Sequence, residues 1–388
     1  MSGAPIRALH VAAGNLYGGV ESQLRALAEC QAAGLAPGLA HEFAVCFEGR
    51  LADVLRAAGA PVHPVGGVRF SRPWTVWQAR RRLARLLAER SIDVVIGHAC
   101  WPHLLAGPVA LRARRPLIFW AHDLLGGSHG IERLAARIRP DFAVANSRCT
   151  AATVPRRFPG VPVAVVHNVV SPPAFERPSV RATMRAEMAV ADGDVVIVMA
   201  CRLERWKGHS LLLEALGRLA GKPGWSLWVA GGAQRPHEQV YLDELKAAVK
   251  LLGIEGRVRF LGQRDDVRRL LAAADVHCQP NTSPEPFGIA FVEALYAGLP
   301  VVSTRMGGAE EIVTESCGVL VPPDDPAALA AALATLIDDP SRRAWLGSSG
   351  PDRAAALCGP GVVLPHLERV LREAAAAAPT KDCTAVSR

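Results

Sequence analysis

Short, continuous apolar runs alternate along the chain with longer stretches of mixed polarity. The first runs cover residues 6–13, 42–47, 62–65, 94–97, 117–121, 142–146 and 163–166. They lack the in–out alternation of a strand with one wet face. They read as strands buried on both faces of a parallel sheet. Amphipathic stretches such as 21–33 and 76–89 lie between them and predict helices. The rhythm then restarts, with strands expected at 195–200, 226–230, 258–261, 276–280, 301–304 and 319–321. Helices are expected at 209–219, 239–252, 267–273, 289–297 and 327–337. Strands alternating with helices make βαβ units, so the predicted class is α/β.

Between the halves, residues 171–178 hold Pro172, Pro173 and Pro178, which interrupt helix and strand alike. The expected division is therefore 1–175, 176–358 and a C-terminal piece, 359–388. In that piece a helix near 364–376 follows the break at Gly359-Pro-Gly and is expected to cross back onto the first domain. The two larger parts are expected to be doubly wound Rossmann-like domains facing each other across a cleft. Ligands of such sheets sit beyond the carboxyl ends of the strands. Many of the unusual polar and glycine residues fall there: Gly18, Gly19, His98, His122, Asn146, Arg202, Gly231, Gly232, Asn281, Gly307 and Gly308.

Composition narrows the function classes. The 388 residues are half hydrophobic, with an ordinary charged fraction and a net charge of +8. The basic residues cluster at Arg80, Arg81, Arg82, Arg85 and Arg90, and again at Arg112, Arg114 and Arg115. These clusters read either as solvated helix faces or as contacts for an anionic membrane or lipid-linked acceptor. Nucleic acid is disfavoured because no aromatic or glycine-rich RNA-binding pattern accompanies them. The nine cysteines are scattered without a C-x-x-C pair, a reduced, cytoplasmic pattern. Arg7 interrupts the short opening apolar run, so no signal peptide is expected. No stretch reaches the ~18 apolar residues of a membrane span.

Three segments carry chemistry. Gly14-Asn-Leu-Tyr-Gly-Gly-Val-Glu21 joins the first strand to a helix. It is either a tight turn or a loop contacting phosphate or sugar. Its spacing is not that of a dinucleotide-binding loop. Arg202-Leu-Glu-Arg-Trp-Lys-Gly208 follows the first strand of the second half. Its Arg202 and Lys207 suit a diphosphate leaving group. Pro280-Asn-Thr-Ser-Pro-Glu-Pro-Phe-Gly-Ile-Ala-Phe-Val-Glu293 is the most specific. Pro284 and Pro286 hold Glu285 extended, Gly288 opens a helix, and Glu293 falls in an apolar stretch expected to be buried. A buried carboxylate needs a partner, for which ribose hydroxyls or an ion pair would serve.

These residues resemble glycosyltransferase family 4, retaining enzymes of the GT-B fold. The match is strong over residues 195–323 and weaker over the first half. One departure is Cys201, where the family usually has glycine. The resemblance implies a hexosyltransferase that uses a nucleotide-diphosphate sugar, a UDP-sugar slightly before GDP-mannose, and a glycan or lipid-linked glycan acceptor. It implies that Arg202 and Lys207 bind the diphosphate and that Glu285 touches the donor sugar. Phe287, Gly288 and Ile289 would contact the donor, with backbone amides from Phe287 and Gly288, and Glu293 would bind the ribose. Gly19 matches the first-domain glycine that closes on the phosphates, and Gly18 beside it joins the donor-binding set. His122, ambiguous alone between a core residue and a site residue, matches a position beside the transferred sugar. The catalytic set is then His122, Glu285, Arg202 and Lys207. Asp192-Gly-Asp194 precedes a strand and reads as a turn rather than a metal site, so no metal or other cofactor is expected. His98, His103, His167 and His209 lack metal-ligand spacing and read as structural or weakly site-adjacent. The resemblance favours front-face displacement over a covalent intermediate, at the inner face of the cytoplasmic membrane or in the cytoplasm. The competing readings are a sugar-nucleotide epimerase and a non-catalytic nucleotide-sugar-binding subunit.

Overall fold

A computed structural model describes residues 4–14, 18–126, 130–191 and 193–377. The chain divides into two units. One takes in everything up to Val169 together with the segment from Pro360 onward, and the other runs from Val170 to Gly359.

The first unit is built on a seven-stranded parallel sheet: β1 (Ile6–Ala12), β2 (Leu39–Val45), β3 (Val62–Pro64), β4 (Val94–His98), β5 (Leu117–Ala121), β6 (Phe142–Ala145) and β7 (Val163–Val165), in the order β3-β2-β1-β4-β5-β6-β7. The second unit has six parallel strands: β8 (Val195–Ala200), β9 (Trp225–Ala230), β10 (Val258–Gly262), β11 (Val276–Gln279), β12 (Val301–Thr304) and β13 (Gly318–Val321). Their order is β10-β9-β8-β11-β12-β13. Both are doubly wound. The strand order reverses between β1 and β4 in one and between β8 and β11 in the other, where such sheets open a crevice for ligand.

Unbroken apolar runs become central strands because both faces of each sheet are covered. All six residues of β8 are buried, as are all five of β5. The last helix, Pro360–Ala377, belongs to the first unit. Val363, Leu364, Leu367, Val370, Leu371 and Ala374 recur at helical spacing and pack into a cluster with β1, β4 and β5.

Two expectations about breaks need correcting. The C-terminal helix starts at Pro360 rather than near residue 364. Proline in the first turn has no amide to lose, so Gly359-Pro-Gly separates two helices without opening a loop. Likewise a helix, Arg177–Glu187, begins inside the proline-rich stretch, with Pro178 in its first turn. The helix Cys100–Arg112 had no counterpart in the sequence reading: it has an apolar, all-round pattern and an internal Pro108.

Candidate functional site

In the second unit, β8 delivers the chain into a 3₁₀ turn, Arg205–Lys207, and then a helix, His209–Gly217. Gly208 sits between them at φ +85°, and a Cβ there would lie 1.8 Å from the Pro280 carbonyl oxygen. Only glycine lets the two loops approach so closely. The amide of Thr282 donates to the Trp206 carbonyl at 2.9 Å and ties them together. This approach brings Lys207 Nζ to 2.7 Å from Glu285 Oε2. The ammonium also lies 3.9 Å from the centroid of the Trp206 ring.

Glu285 is 6% exposed. Its Oε2 also accepts from Gln279 Nε2 at 3.0 Å and Asn281 Nδ2 at 2.8 Å. Oε1 carries no hydrogen bond among the described residues. The supporting groups are themselves fixed: Ser303 Oγ donates to the Gln279 carbonyl at 2.8 Å and Thr304 Oγ1 to that of Asn281 at 2.6 Å. The Glu285 backbone pairs with Gly307, and the Gly308 amide donates to its carbonyl at 2.7 Å. A Cβ on Gly307 would stand 2.4 Å from that carbonyl oxygen. The extended Glu285 expected from its flanking prolines is therefore present and clamped on two sides. Sequence reasoning missed Gln279 as a partner. Its signal was a buried amide at the carboxyl end of the strand Val276–Gln279.

Phe287 is buried in the core. Gly288, at φ +103°, caps the helix Ile289–Tyr296, whose first amides have no partner within the helix. Two site residues sit differently from expectation. Glu293 is not deeply buried: it is partly open and its Oε1 lies 3.3 Å from Arg268 Nε. Arg268 stands in the helix Val267–Ala273, which packs beside its own, and this supplies the ion pair that the sequence had offered as one alternative. Arg202 does not share Lys207's partner. It pairs with Glu204 at 2.9 Å and is 43% exposed.

In the first unit, His122 follows β5 and is buried, with its carbonyl accepting from Asn146 Nδ2 at 3.2 Å. Its Nε2 lies 2.8 Å from His98 Nδ1. His98 Nε2 lies 2.8 Å from His10 Nδ1, and His10 Nε2 lies 2.8 Å from His41 Nδ1. Burial lowers all four imidazole pKa values, His41 to about 4 and His122 to about 3, with His10 and His98 also well below the ordinary value. All four are uncharged at neutral pH. His98 is thus joined to the expected site residue, while His10 and His41 were not foreseen. A histidine inside the apolar run of β1 was the available signal.

The glycine-rich loop is only partly visible, since residues 15–17 lie outside the described residues. Gly18 donates its amide to Glu21 Oε2 at 3.0 Å, a capping-box contact, so that amide is already engaged. Gly19 opens the helix Gly19–Ala32. Asp192 also lies outside the described residues, and Asp194 immediately precedes β8, at the amino end of the sheet. Among the described residues, no group of three or more His, Cys, Asp or Glu side chains is arranged to hold a metal ion.

Comparison with known proteins gives this geometry its family. Residues 180–353 match the model of glycosyl transferases group 1, and residues 17–172 match that of Glycosyltransferase Family 4. The chain is 31% identical over 297 residues to a GDP-mannose-dependent alpha-(1-6)-phosphatidylinositol monomannoside mannosyltransferase of Mycolicibacterium smegmatis, covering 69% of this chain and 73% of that one. The chain belongs to the group 1, family 4 glycosyltransferases. This glycosyltransferase is also 27% identical to the lipopolysaccharide core biosynthesis mannosyltransferase LpsB of Rhizobium meliloti, over 73% of this chain and 75% of that one. Among solved structures, Anabaena HepE in complex with UDP and glucose superposes with a TM-score of 0.82 at 26% identity, over 95% of this chain and all of that one. Its fold is accordingly GT-B. The group 1 match spans Arg202, Lys207, Glu285 and Glu293, and the family 4 match spans Gly18, Gly19 and His122.

Proposed function

We propose that this glycosyltransferase moves a hexosyl group from a nucleotide-diphosphate sugar to a glycan or lipid-linked glycan, with retention at the anomeric carbon. The observation that carries the reading is the convergence of Lys207, Gln279 and Asn281 on one oxygen of Glu285. Glu285 is thereby oriented with its second oxygen left to accept from sugar hydroxyls. Lys207 and Arg202 follow the carboxyl end of β8, where a diphosphate is neutralised as it leaves. His122 acts at the transferred sugar and Glu293 at the ribose. Gly18, Gly19 and the backbone from Phe287 through Ile289 complete the donor contacts.

Retention by double displacement needs a free carboxylate nucleophile. Glu285 already accepts three hydrogen bonds on Oε2, which lowers its nucleophilicity. Front-face displacement fits better: the departing phosphate takes the acceptor proton, and positioning and charge stabilisation supply the rate. Fixed cations in the second unit do the work a divalent metal would do, so turnover is independent of metal. A UDP-sugar is slightly favoured as donor, with GDP-mannose the alternative. The UDP and glucose bound in Anabaena HepE and the GDP-mannose-dependent relative are the respective supports.

The acceptor side is read from the first unit. The helix Pro73–Glu89 exposes Trp74 and Trp77, with Arg81 and Arg85 on its open surface. A groove of about 980 Å³ beside it is lined by Phe70, Val76, Trp77, Arg80, Arg81 and Arg112, among others. Exposed tryptophans beside arginines suit the interface of an anionic membrane. No helix among the described residues is long and apolar enough to cross one, so the contact is peripheral, at the cytoplasmic face. Arg80 and Arg82 are partly committed elsewhere, donating to the carbonyls of Leu104 and Val65.

A thermal-shift screen of nucleotide diphosphates and their sugars, followed by donor turnover, tests the reading. Sugar transfer with release of nucleotide supports it, and excess EDTA should leave the rate intact. An isomerised donor would identify an epimerase. Binding without turnover would identify a non-catalytic subunit.

A further inference from the structure

We infer that His41, His10, His98 and His122 form one hydrogen-bonded chain whose polarity holds His122 as its Nδ1–H tautomer. Consecutive ring centroids are 5.0, 5.1 and 5.1 Å apart, with interplanar angles of 51°, 29° and 22°. With nitrogens at 2.8 Å, this is the geometry of imidazoles linked edge to edge by N–H···N bonds, not of rings piled face to face. Phe43 lies against His10 at 5.3 Å, and Trp120 against His98 at 5.2 Å and His122 at 5.7 Å. These aromatic walls hold the ring planes.

A neutral imidazole has one donor and one acceptor nitrogen. A linked row of four therefore has two complete arrangements, one with every proton directed towards His122 and one with every proton directed towards His41. Both satisfy the three internal bonds, so they differ in what is left unsatisfied only at the ends. His41 Nε2 is buried and has no hydrogen-bond partner among the described residues. In one arrangement it carries a bare lone pair, and in the other an N–H with no acceptor. Orphaned buried N–H groups are the rarer of the two. The protons therefore run from His41 Nδ1 to His10 Nε2, from His10 Nδ1 to His98 Nε2, and from His98 Nδ1 to His122 Nε2. His122 is left with a proton on Nδ1, its one nitrogen outside the chain.

The consequence for chemistry is specific. His122 meets its ligand as a neutral hydrogen-bond donor, suited to hydroxyl or phosphate oxygens, and not as a base. His98, His10 and His41 are positioning residues, the last of them three rings away from the one it sets. This consequence rests on the reading of His122 as a donor-sugar contact, whereas the tautomer itself does not.

The test is nitrogen NMR on protein labelled at histidine. In the wild type, His122 should show a protonated Nδ1 and an unprotonated, accepting Nε2. Couplings across the three N–H···N bonds should link all four rings. A protonated His122 Nε2, or rings without such couplings, would overturn the proposal. Asp Oδ1 lies as many bonds from Cα as His Nδ1 does. His41→Asp therefore puts an acceptor where a donor stood, as carboxylates do when they fix imidazole tautomers. It should reverse the row and move the His122 proton to Nε2. His41→Asn can still donate and should leave the wild-type tautomer. Equal His122 spectra in these two variants would refute the chain; the wild-type couplings decide the matter if His41→Asp does not fold. Transfer then tests the dependent reading: a reversed tautomer should lower kcat by roughly tenfold or more. Reversal with unchanged kcat would keep the chain and remove His122 from the reaction.

Discussion

The two sheets share a strand order, yet their switch points are filled in opposite ways. Between β1 and β4 stand His10 and His98, buried and uncharged, in line with His41 and His122. Following β8 and β11 stand Lys207 and Glu285, a nearly buried ion pair whose carboxylate is braced by two amides. The neutral row is specified by counting protons, and the pair by balancing charge. A neutral row survives burial because each ring satisfies its neighbour. A buried pair survives only while both partners remain.

The sharpest way to break the comparison is therefore to remove one charge. Lys207→Ala should lower transfer by about 10²–10³-fold, the scale of losing one preorganised electrostatic contact. It should also destabilise the second unit, because Glu285 stays buried with amides alone. Breaking a buried pair is worth about 3–5 kcal/mol, and the unfolding midpoint in denaturant reads it. Lys207→Met combined with Glu285→Gln should recover most of the stability and none of the activity. A double variant as unstable as Lys207→Ala would show that uncompensated charge is not the cause. Full activity in Lys207→Ala and Glu285→Ala together would dismiss the site assignment.

The contrast also explains what the sequence made legible. Arg202, Lys207 and Glu285 announced themselves because charged residues after strand ends, among prolines and glycines, have few structural reasons to be there, and Glu293 because a carboxylate interrupts an apolar stretch. The parallel strands were equally plain, since β5 and β8 are apolar from end to end. The histidine row was hidden. His41, His10, His98 and His122 come from four strands or strand ends, and nothing in their spacing brings them together before the strand order is known. Partner choice was hidden for the same reason: Arg202 with Glu204 and Glu293 with Arg268 depend on rotamers and packing, not on motif. Residues 171–178 and 359–361 misled through proline, which breaks a helix interior but suits a first turn.

A smaller effect should appear on acidification, and it separates the units by number of groups. Burial lowers the pKa of His10, His41, His98, His103 and His122 in the first unit, and of His209 and His277 in the second. Each binds a proton more readily when unfolded. Their contribution to stability is complete above about 6.5, the ordinary histidine value. It is lost as the pH falls from there, towards about 4 for His41, His103, His209 and His277 and about 3 for His122, because the unfolded chain takes up protons that the folded one refuses. Hydrogen exchange at pH 5 against pH 7.5 should show β1, β4 and β5 losing more protection than β8 and β11. An equal loss in both sheets would mean that the row is not the acid-sensitive element.

The smallest effect separates the two cations that looked equivalent in sequence. Lys207 is nearly buried and held by Glu285, while Arg202 is 43% exposed and held by Glu204 beside it. Solvent screens a half-exposed charge, and its ion pair is worth about 0–1 kcal/mol. Arg202→Ala should therefore leave the unfolding midpoint within error of the wild type and lower transfer by about tenfold, well short of Lys207→Ala. Its share should also shrink as salt rises from 0.05 to 0.5 M, values chosen to take the screening length from above ~10 Å to a few Å, whereas the Lys207→Ala deficit should hold. The measurement is kcat/KM for the donor across that salt series in both variants. If Arg202→Ala equals Lys207→Ala at every salt concentration, the arginine leaves Glu204 when donor binds and becomes a full partner of the diphosphate. The asymmetry between the two cations would then not survive donor binding.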